Sequence, residues 1–273
     1  DAIKSMKLYN SVERIHRDLE SVGVGPDDPV TVDLLSRFDQ LHYFGTDAVD
    51  EAIHTLNAGP SDRILDIGAG YGGPARYLAS RTGSRVTAVE LQPDLNAVAS
   101  DLTRRTGLAD QVSHMAADIH QAPLDTSGHS GAISYLAVYH IPERSKLLTR
   151  LADALAPASA IYFEDLYCRQ SLTDQEEEIM QDALYANSLT DKEAYISELE
   201  AAGFTDIDFQ DMSDAWGAFT AERLAEFRAV AEEKTRTHGA DVVAALDMFY
   251  NTVSGLFAAG NLGGVRLTAR SPG

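Results

Sequence analysis

Cysteine is nearly absent. Cys168 stands alone in 273 residues, so the chain closes no disulfide on itself and builds no cysteine-rich metal site. Lysine is almost as scarce, with Lys4, Lys7, Lys146, Lys192 and Lys234 the whole supply, and no basic patch offsets a formal net charge of −20. Such a surface repels phosphate backbones, which excludes nucleic acid as a partner. No apolar run approaches the length of a membrane span, and residues 1–12 lack the apolar core of a secretory signal. Neither a membrane nor export is therefore expected, and a cytoplasmic enzyme is the default. Internal repeats and low-complexity segments are also missing.

At 44% hydrophobic, the chain can bury one sizeable core with elaborations. Aspartates are scattered through every loop. A surface rich in aspartate and poor in lysine suits a high-salt interior, where screening removes self-repulsion, and it equally suits an ordinary acidic protein.

The chain is organised around Ile64-Leu65-Asp66-Ile67-Gly68-Ala69-Gly70-Tyr71-Gly72-Gly73. A short apolar run ends in an acid and meets a glycine cluster that opens onto a helix. Gly68, Gly70 and Gly73 satisfy G-x-G-x-x-G, the turn that brings backbone close to a nucleoside cofactor. Asp66 sits inside the strand end, and a second acid, Glu90, ends the next apolar run. An acid beside the turn can organise an ammonium group, and one at the second strand tip can accept both hydroxyls of a ribose. On the ribose of NAD, Glu90 would serve equally well.

From there strands and helices alternate. Strands are expected at 64–67, 86–90, 112–116, 132–137, 160–163 and 207–212, with helices at 72–81, 93–106, 143–155 and 192–202. Alternation of this kind demands parallel strands, right-handed crossovers and ligands at the strand C-termini, hence an α/β doubly wound sheet. Helices are also expected at 12–19 and 32–38, and at 173–185, where Thr173 and Glu176 form a capping box. Residues 216–261 carry two amphipathic helices before a last strand at 265–269. The expected division is a helical N-terminal segment at 1–57, a core at 58–215, a helical insertion at 216–261 and a closing strand at 262–273. The two helical segments and residues 166–187 would cap the ligand side of the sheet.

The segment Asp66 to Gly72 resembles the first motif of the class I S-adenosylmethionine-dependent methyltransferases, an acid followed by Gly-x-Gly-x-Gly. The resemblance implies a Rossmann-like seven-stranded sheet with S-adenosylmethionine as cofactor. The cofactor would be held by Asp66, Gly68, Gly70, Gly72, Glu90, Leu91 and Tyr135. Asp118 and Ile119, after the third strand, would serve the adenine. In small-molecule members a tyrosine from the N-terminal region folds over the methionine end of the cofactor. Tyr43, in the cluster Phe38-Asp39-Gln40-Leu41-His42-Tyr43-Phe44-Gly45, matches it. Tyr139-His140-Ile141-Pro142 resembles the family's aromatic-His-aliphatic-Pro segment, which puts His140 near the transferred methyl. The Asp/Asn-Pro-Pro-aromatic motif of members acting on exocyclic amines in nucleic acid is absent.

Leu65 to Tyr77 is similar to the sarcosine/dimethylglycine N-methyltransferases, which implies a small amine as substrate. That group has a polar run after the fourth strand where this chain has Leu136-Ala137-Val138. Tyr43, Tyr135, Tyr139 and Trp216 offer aromatic faces to an ammonium group. The expected catalytic residues are His140, Tyr43 and Glu164, the last as a counter-charge. Arg223 and Arg266 are candidates to hold a substrate carboxylate. Glu164 and Asp165 are adjacent on a strand, so at most one faces the pocket. The partner is a small molecule, no metal is expected, and a homo-oligomer is left open. Transfer to O, S or C, an NAD-dependent oxidoreductase and a non-catalytic cofactor-binding module are the competing readings.

Overall fold

The structure, a computed structural model, describes residues 12–273; Lys4, Lys7 and the start of the N-terminal segment lie outside the described residues. Seven strands form one sheet in the order β3-β2-β1-β4-β5-β7-β6. β1 (Arg63–Ile67), β2 (Arg85–Glu90), β3 (Val112–Ala116), β4 (His129–Tyr135) and β5 (Leu155–Cys168) are mutually parallel. β7 (Leu262–Arg270) runs antiparallel between β5 and β6 (Thr205–Asp211). The strand order reverses between β1 and β4, which opens a crevice at their C-terminal ends.

Side-chain alternation along β1 supplies both faces of the core. Leu65 and Ile67 pack with Leu147 and Leu151 of α6 (Arg144–Ala154) and Leu199 of α8 (Lys192–Ala201). Ile64 faces the other way, with Val49 of α3 (Gly45–Leu56) and Leu78 of α4 (Gly73–Thr82). Each such side chain, fully buried, contributes roughly 1.5–3 kcal/mol. α5 (Pro93–Arg105) begins at Pro93, whose missing N–H costs nothing in a first turn. α7 (Asp174–Asp182) opens on the expected capping box, with the Thr173 hydroxyl accepting from the Glu176 amide and Glu176 accepting from the Thr173 amide.

Several elements depart from expectation. β5 extends well beyond 160–163, because β7 pairs with it from Ala160 to Cys168, and Arg266 of β7 pairs with Glu164, one of the two acids that interrupt its apolar run. α3 is unforeseen; it starts at a glycine, after Phe44 in the left-handed region at φ 57°. The expected helix at 32–38 shortens to α2 (Val32–Leu35), while α1 (Arg14–Ser21) falls close to its expected place. The late insertion folds as three helices rather than two: α9 (Ser213–Ala229), α10 (Ala231–His238) and α11 (Ala240–Ala259). α11 also corrects the expectation that no apolar run is long enough to span a membrane, since by length and composition it is. Its Val253, Leu256 and Phe257 are buried in a cluster with Trp216 of α9 and Leu262 of β7. Trp216 needs Gly264 opposite it: a Cβ there would lie 2.0 Å from the indole.

Candidate active site

The glycine turn follows β1, and two of its glycines are required for different reasons. Gly68 has φ 71°, and a Cβ on it would lie 2.3 Å from that of Ala137. Gly70 has φ 55°, and a Cβ there meets nothing within 4 Å, so its backbone faces open space. The Gly70 amide donates to Glu90 Oε2 at 2.9 Å, and the Gln92 amide donates to Oε1 at 2.9 Å. The Glu90 carboxylate is thereby fixed at the tip of β2. Gly72 serves the helix instead, capping α4 at φ 72°, and a Cβ on it would strike the His114 ring.

Two cavities meet at Gly68. One, of about 260 Å³, is lined by Glu90, Leu91, Asp118, Ile119 and His140. The other, of about 50 Å³, is lined by Asp66, Gly70, Tyr135 and His42. Asp66 is buried, and its Oδ2 has no hydrogen-bond partner. Burial, reinforced by the Glu90 charge, raises its pKa to about 7. Burial also raises Glu90, against the opposing hydrogen bonds from Gln92 and Gly70. An orphaned buried carboxylate asks for a cation, and a fixed one on a strand tip asks for hydroxyl donors. These are the ammonium and ribose ends of S-adenosylmethionine, so the residues fit that cofactor. A dinucleotide would bring pyrophosphate toward the same two carboxylates, which repel it.

A third cavity, of about 350 Å³, lies under the helical elements and is walled by Tyr43, Leu136, Tyr139, Phe219, Arg223, Phe249 and Tyr250, among others. Tyr43 is buried here, its ring 4.8 Å edge-on from Trp216 and 5.1 Å from the Arg223 guanidinium. Burial raises its hydroxyl pKa, with Arg223 opposing. Trp216 is fully buried behind it and contacts none of the three cavities.

The expected catalytic trio is not brought together. His140 lies against the 260 Å³ cavity, beside Asp118 and Ile119, rather than with Tyr43. Its Nδ1 donates to the Tyr185 carbonyl at 3.1 Å, its ring lies 3.9 Å from that of Tyr139, and burial lowers its pKa to about 4. Glu164 lines none of the three cavities; it pairs with Arg266 at 3.2 Å and accepts from the Tyr162 hydroxyl at 2.8 Å. Arg266 is consumed in the same pair. Asp165 points to the opposite face, accepting from the Tyr139 amide and the Tyr195 hydroxyl. Among the expected cofactor residues, Asp118 accepts from the His120 amide at 2.9 Å, and Leu91 stands half exposed at the rim.

His42, the neighbour of Tyr43, is a site residue that no sequence motif marks. His42 and Leu41 line both the Asp66 cavity and the capped one, so the two cavities lie side by side there. His42 Nε2 lies 2.9 Å from the Gly45 carbonyl, and a carbonyl can only accept, so Nε2 carries the proton and Nδ1 a lone pair. The ring stacks 4.4 Å from Tyr135, and burial lowers its pKa to about 4. It is a neutral acceptor held in one tautomer. The segment bearing it is anchored by Asp39, which pairs at 3.0 Å with the fully buried Arg76 of α4.

Residues 64–158 match the family described as methyltransferase domain. The glycine/sarcosine/dimethylglycine N-methyltransferase of Actinopolyspora halophila is 30% identical over 159 residues, 58% of this chain and 28% of that protein. Methyltransferase GfsG of Streptomyces halstedii is 26% identical over 182 residues, 66% of each. The chain thus spans less than two thirds of the length of these curated relatives. The fold superposes on the phosphoethanolamine N-methyltransferase 2 of Haemonchus contortus in complex with S-adenosyl-L-methionine, with TM-score 0.80 and 19% identity over 99% of this chain and 58% of that one. Residues 64–158, the part of the chain that matches a methyltransferase domain, carry the Asp66–Glu90 crevice at the switch point of this sheet, and there the chain is similar to methyltransferases.

Proposed function

We propose that this protein transfers the methyl group of S-adenosylmethionine to the nitrogen of a small amine of the sarcosine or dimethylglycine type. One observation carries the reading. The capped aromatic cavity and the Asp66 crevice share His42 and Leu41 as lining, so a substrate in the first lies beside the methionine end of a cofactor in the second. The cofactor supplies a methyl group already activated by a sulfonium, which leaves the protein to align a lone pair, exclude water and handle one proton. The rings of Tyr43, Tyr139, Phe219 and Tyr250 favour an ammonium form on entry. The ammonium gives up a proton to solvent before transfer. For a primary or secondary amine such as sarcosine, a neutral His42 Nδ1 then accepts an N–H and orients the lone pair beside a cationic sulfonium, whereas dimethylglycine, with no N–H, is aligned by the aromatic walls alone. Tyr43 closes the cavity, and His140 supports the cofactor from the adenine side. The similarity to the Actinopolyspora enzyme points to the same kind of acceptor.

A second reading, O-methylation of a less polar metabolite, draws on Leu136, Leu166 and Leu184 in the cavity wall. Incubation with labelled S-adenosylmethionine and a panel of glycine derivatives, larger amines, phenols, alcohols and thiols decides between them. Label on an amine supports the proposal. Label on oxygen or sulfur alone sinks N-methylation and spares the methyltransferase.

A further inference from the structure

The charge around the capped cavity runs against that of the molecule. The chain carries a formal −20, yet the described lining of this cavity holds Arg14, Arg37, Arg223 and Lys234 against a single acid, Asp18. That acid is already committed, its Oδ1 lying 3.2 Å from Lys234 Nζ and 2.9 Å from His238 Nε2. No carboxylate among the described residues pairs with Arg14, Arg37 or Arg223. Arg223 lies over the rings of Tyr250, Tyr43 and Phe219 at 4.6, 5.1 and 5.5 Å, which orient its guanidinium without neutralising it. Its Nε is buried without a hydrogen-bond partner.

In a chain with 42 acidic residues against 22 basic ones, arginines without carboxylates, gathered round one cavity, mark a place kept for an anion from outside. Arginine rather than lysine provides a planar fork, the geometry that carboxylate and phosphate oxygens accept in pairs. Part of the remaining wall is apolar, with Leu184 and, from α11, Leu246, Phe249 and Val253; Ser36, Gln40, His42 and His238 also line it. A volume of about 350 Å³ reaches the range of about 300–1,000 Å³ that accommodates drug-sized ligands, well above what a glycine derivative fills.

Resting on the reading of this cavity as the methyl-acceptor site, we infer that the substrate is an amphipathic oxyanion. Its carboxylate or phosphate is held by Arg223, within the field of Arg37 and Arg14, and its apolar body lies against α11. The acceptor is then an amine that also bears a carboxylate or phosphate ester, with a larger apolar body than sarcosine.

Calorimetric titration of the full chain saturated with S-adenosylhomocysteine tests this, using octanoate, octyl phosphate, octylamine and acetate. Octanoate or octyl phosphate should bind about tenfold or more tighter than octylamine, the gain expected of charge-assisted hydrogen bonds, and acetate far more weakly than octanoate. The tighter of the two anions identifies the head group. R223Q should erase the preference for anions, R223K should keep most of it, and both should bind S-adenosylhomocysteine as before. Should R223Q fail to fold, R37Q, at an exposed side chain, should still weaken the favoured anion several-fold. Equal binding of octylamine and both anions, or anion affinity unchanged in R223Q and R37Q, overturns the assignment. Anion binding without methyl transfer to any amine would fail the N-methylation reading alone, and loss of S-adenosylhomocysteine binding in the unaltered protein would fail the cofactor reading.

Discussion

Burial moves the pKa values of two residues, Asp66 and His42, in the direction that favours their neutral forms. Asp66 has a pKa of about 7 against an ordinary 3.8, through burial first and the Glu90 charge second. The folded chain therefore keeps a proton that the unfolded chain releases as pH rises between those values, and stability falls across that window. Asp66→Asn should raise the melting temperature at pH 8 and lose that advantage toward pH 4, which thermal melts at the two pH values will show. A cofactor ammonium needs the ionised form, so S-adenosylhomocysteine affinity should fall about tenfold per pH unit below 7 in the unaltered protein. In Asp66→Asn it should be weak and nearly independent of pH. For His42, glutamine preserves a donor to the Gly45 carbonyl and removes the Nδ1 acceptor. His42→Gln should lower turnover by about tenfold to hundredfold, within the range of a lost positioning contact, and change S-adenosylhomocysteine affinity far less. Equal losses in both would reduce His42 to a packing residue.

The elements position the site through one buried ion pair. Arg76 of α4 donates to Asp39, to the Ala99 carbonyl and to the Thr103 hydroxyl, joining the glycine-turn helix to the segment that carries His42 and to α5. Asp39→Ala leaves a guanidinium buried without its counter-charge, an imbalance worth roughly 3–5 kcal/mol. In a chain of this length the melting temperature should fall by about 10 °C. A shift of only a degree or two would mean that Arg76 finds another partner. The elements differ in how plainly the sequence announces them. β1 and β2 are visible because their apolar runs end at acids whose place in the crevice follows from strand geometry, which is also why Asp66 and Glu90 can be named. The continuation of β5 past 163 is not, since Glu164 and Asp165 look like an ending until Arg266, Tyr162 and Tyr195 are seen to satisfy them. α3 hides behind an opening glycine and a left-handed Phe44. Glu164 and His140 are named from a strand tip and a motif, but which cavity a tip residue faces depends on neighbours distant in sequence. His42 depends on Gly45, Tyr135 and the meeting of two cavities, none of which has a linear signature.

At the scale of the whole molecule, the net charge of −20 sets the response to salt. Shortening the screening length from about 10 Å at 0.1 M to about 3 Å at 1 M removes most carboxylate repulsion between exposed groups. The melting temperature should rise along a KCl series from low to molar salt, and a flat or falling series would reject adaptation to high salt. The proposed function rests on the crevice at the switch point of the sheet, where Asp66 and Glu90 would meet a cation and a ribose. The most direct test is calorimetric titration of the unaltered protein at pH 8 with S-adenosylhomocysteine and, separately, with NAD. Binding of S-adenosylhomocysteine at one site per chain with micromolar or tighter affinity, and weak or undetectable NAD binding, is the predicted result. NAD binding the more tightly of the two, or no S-adenosylhomocysteine binding to a folded chain, would contradict it.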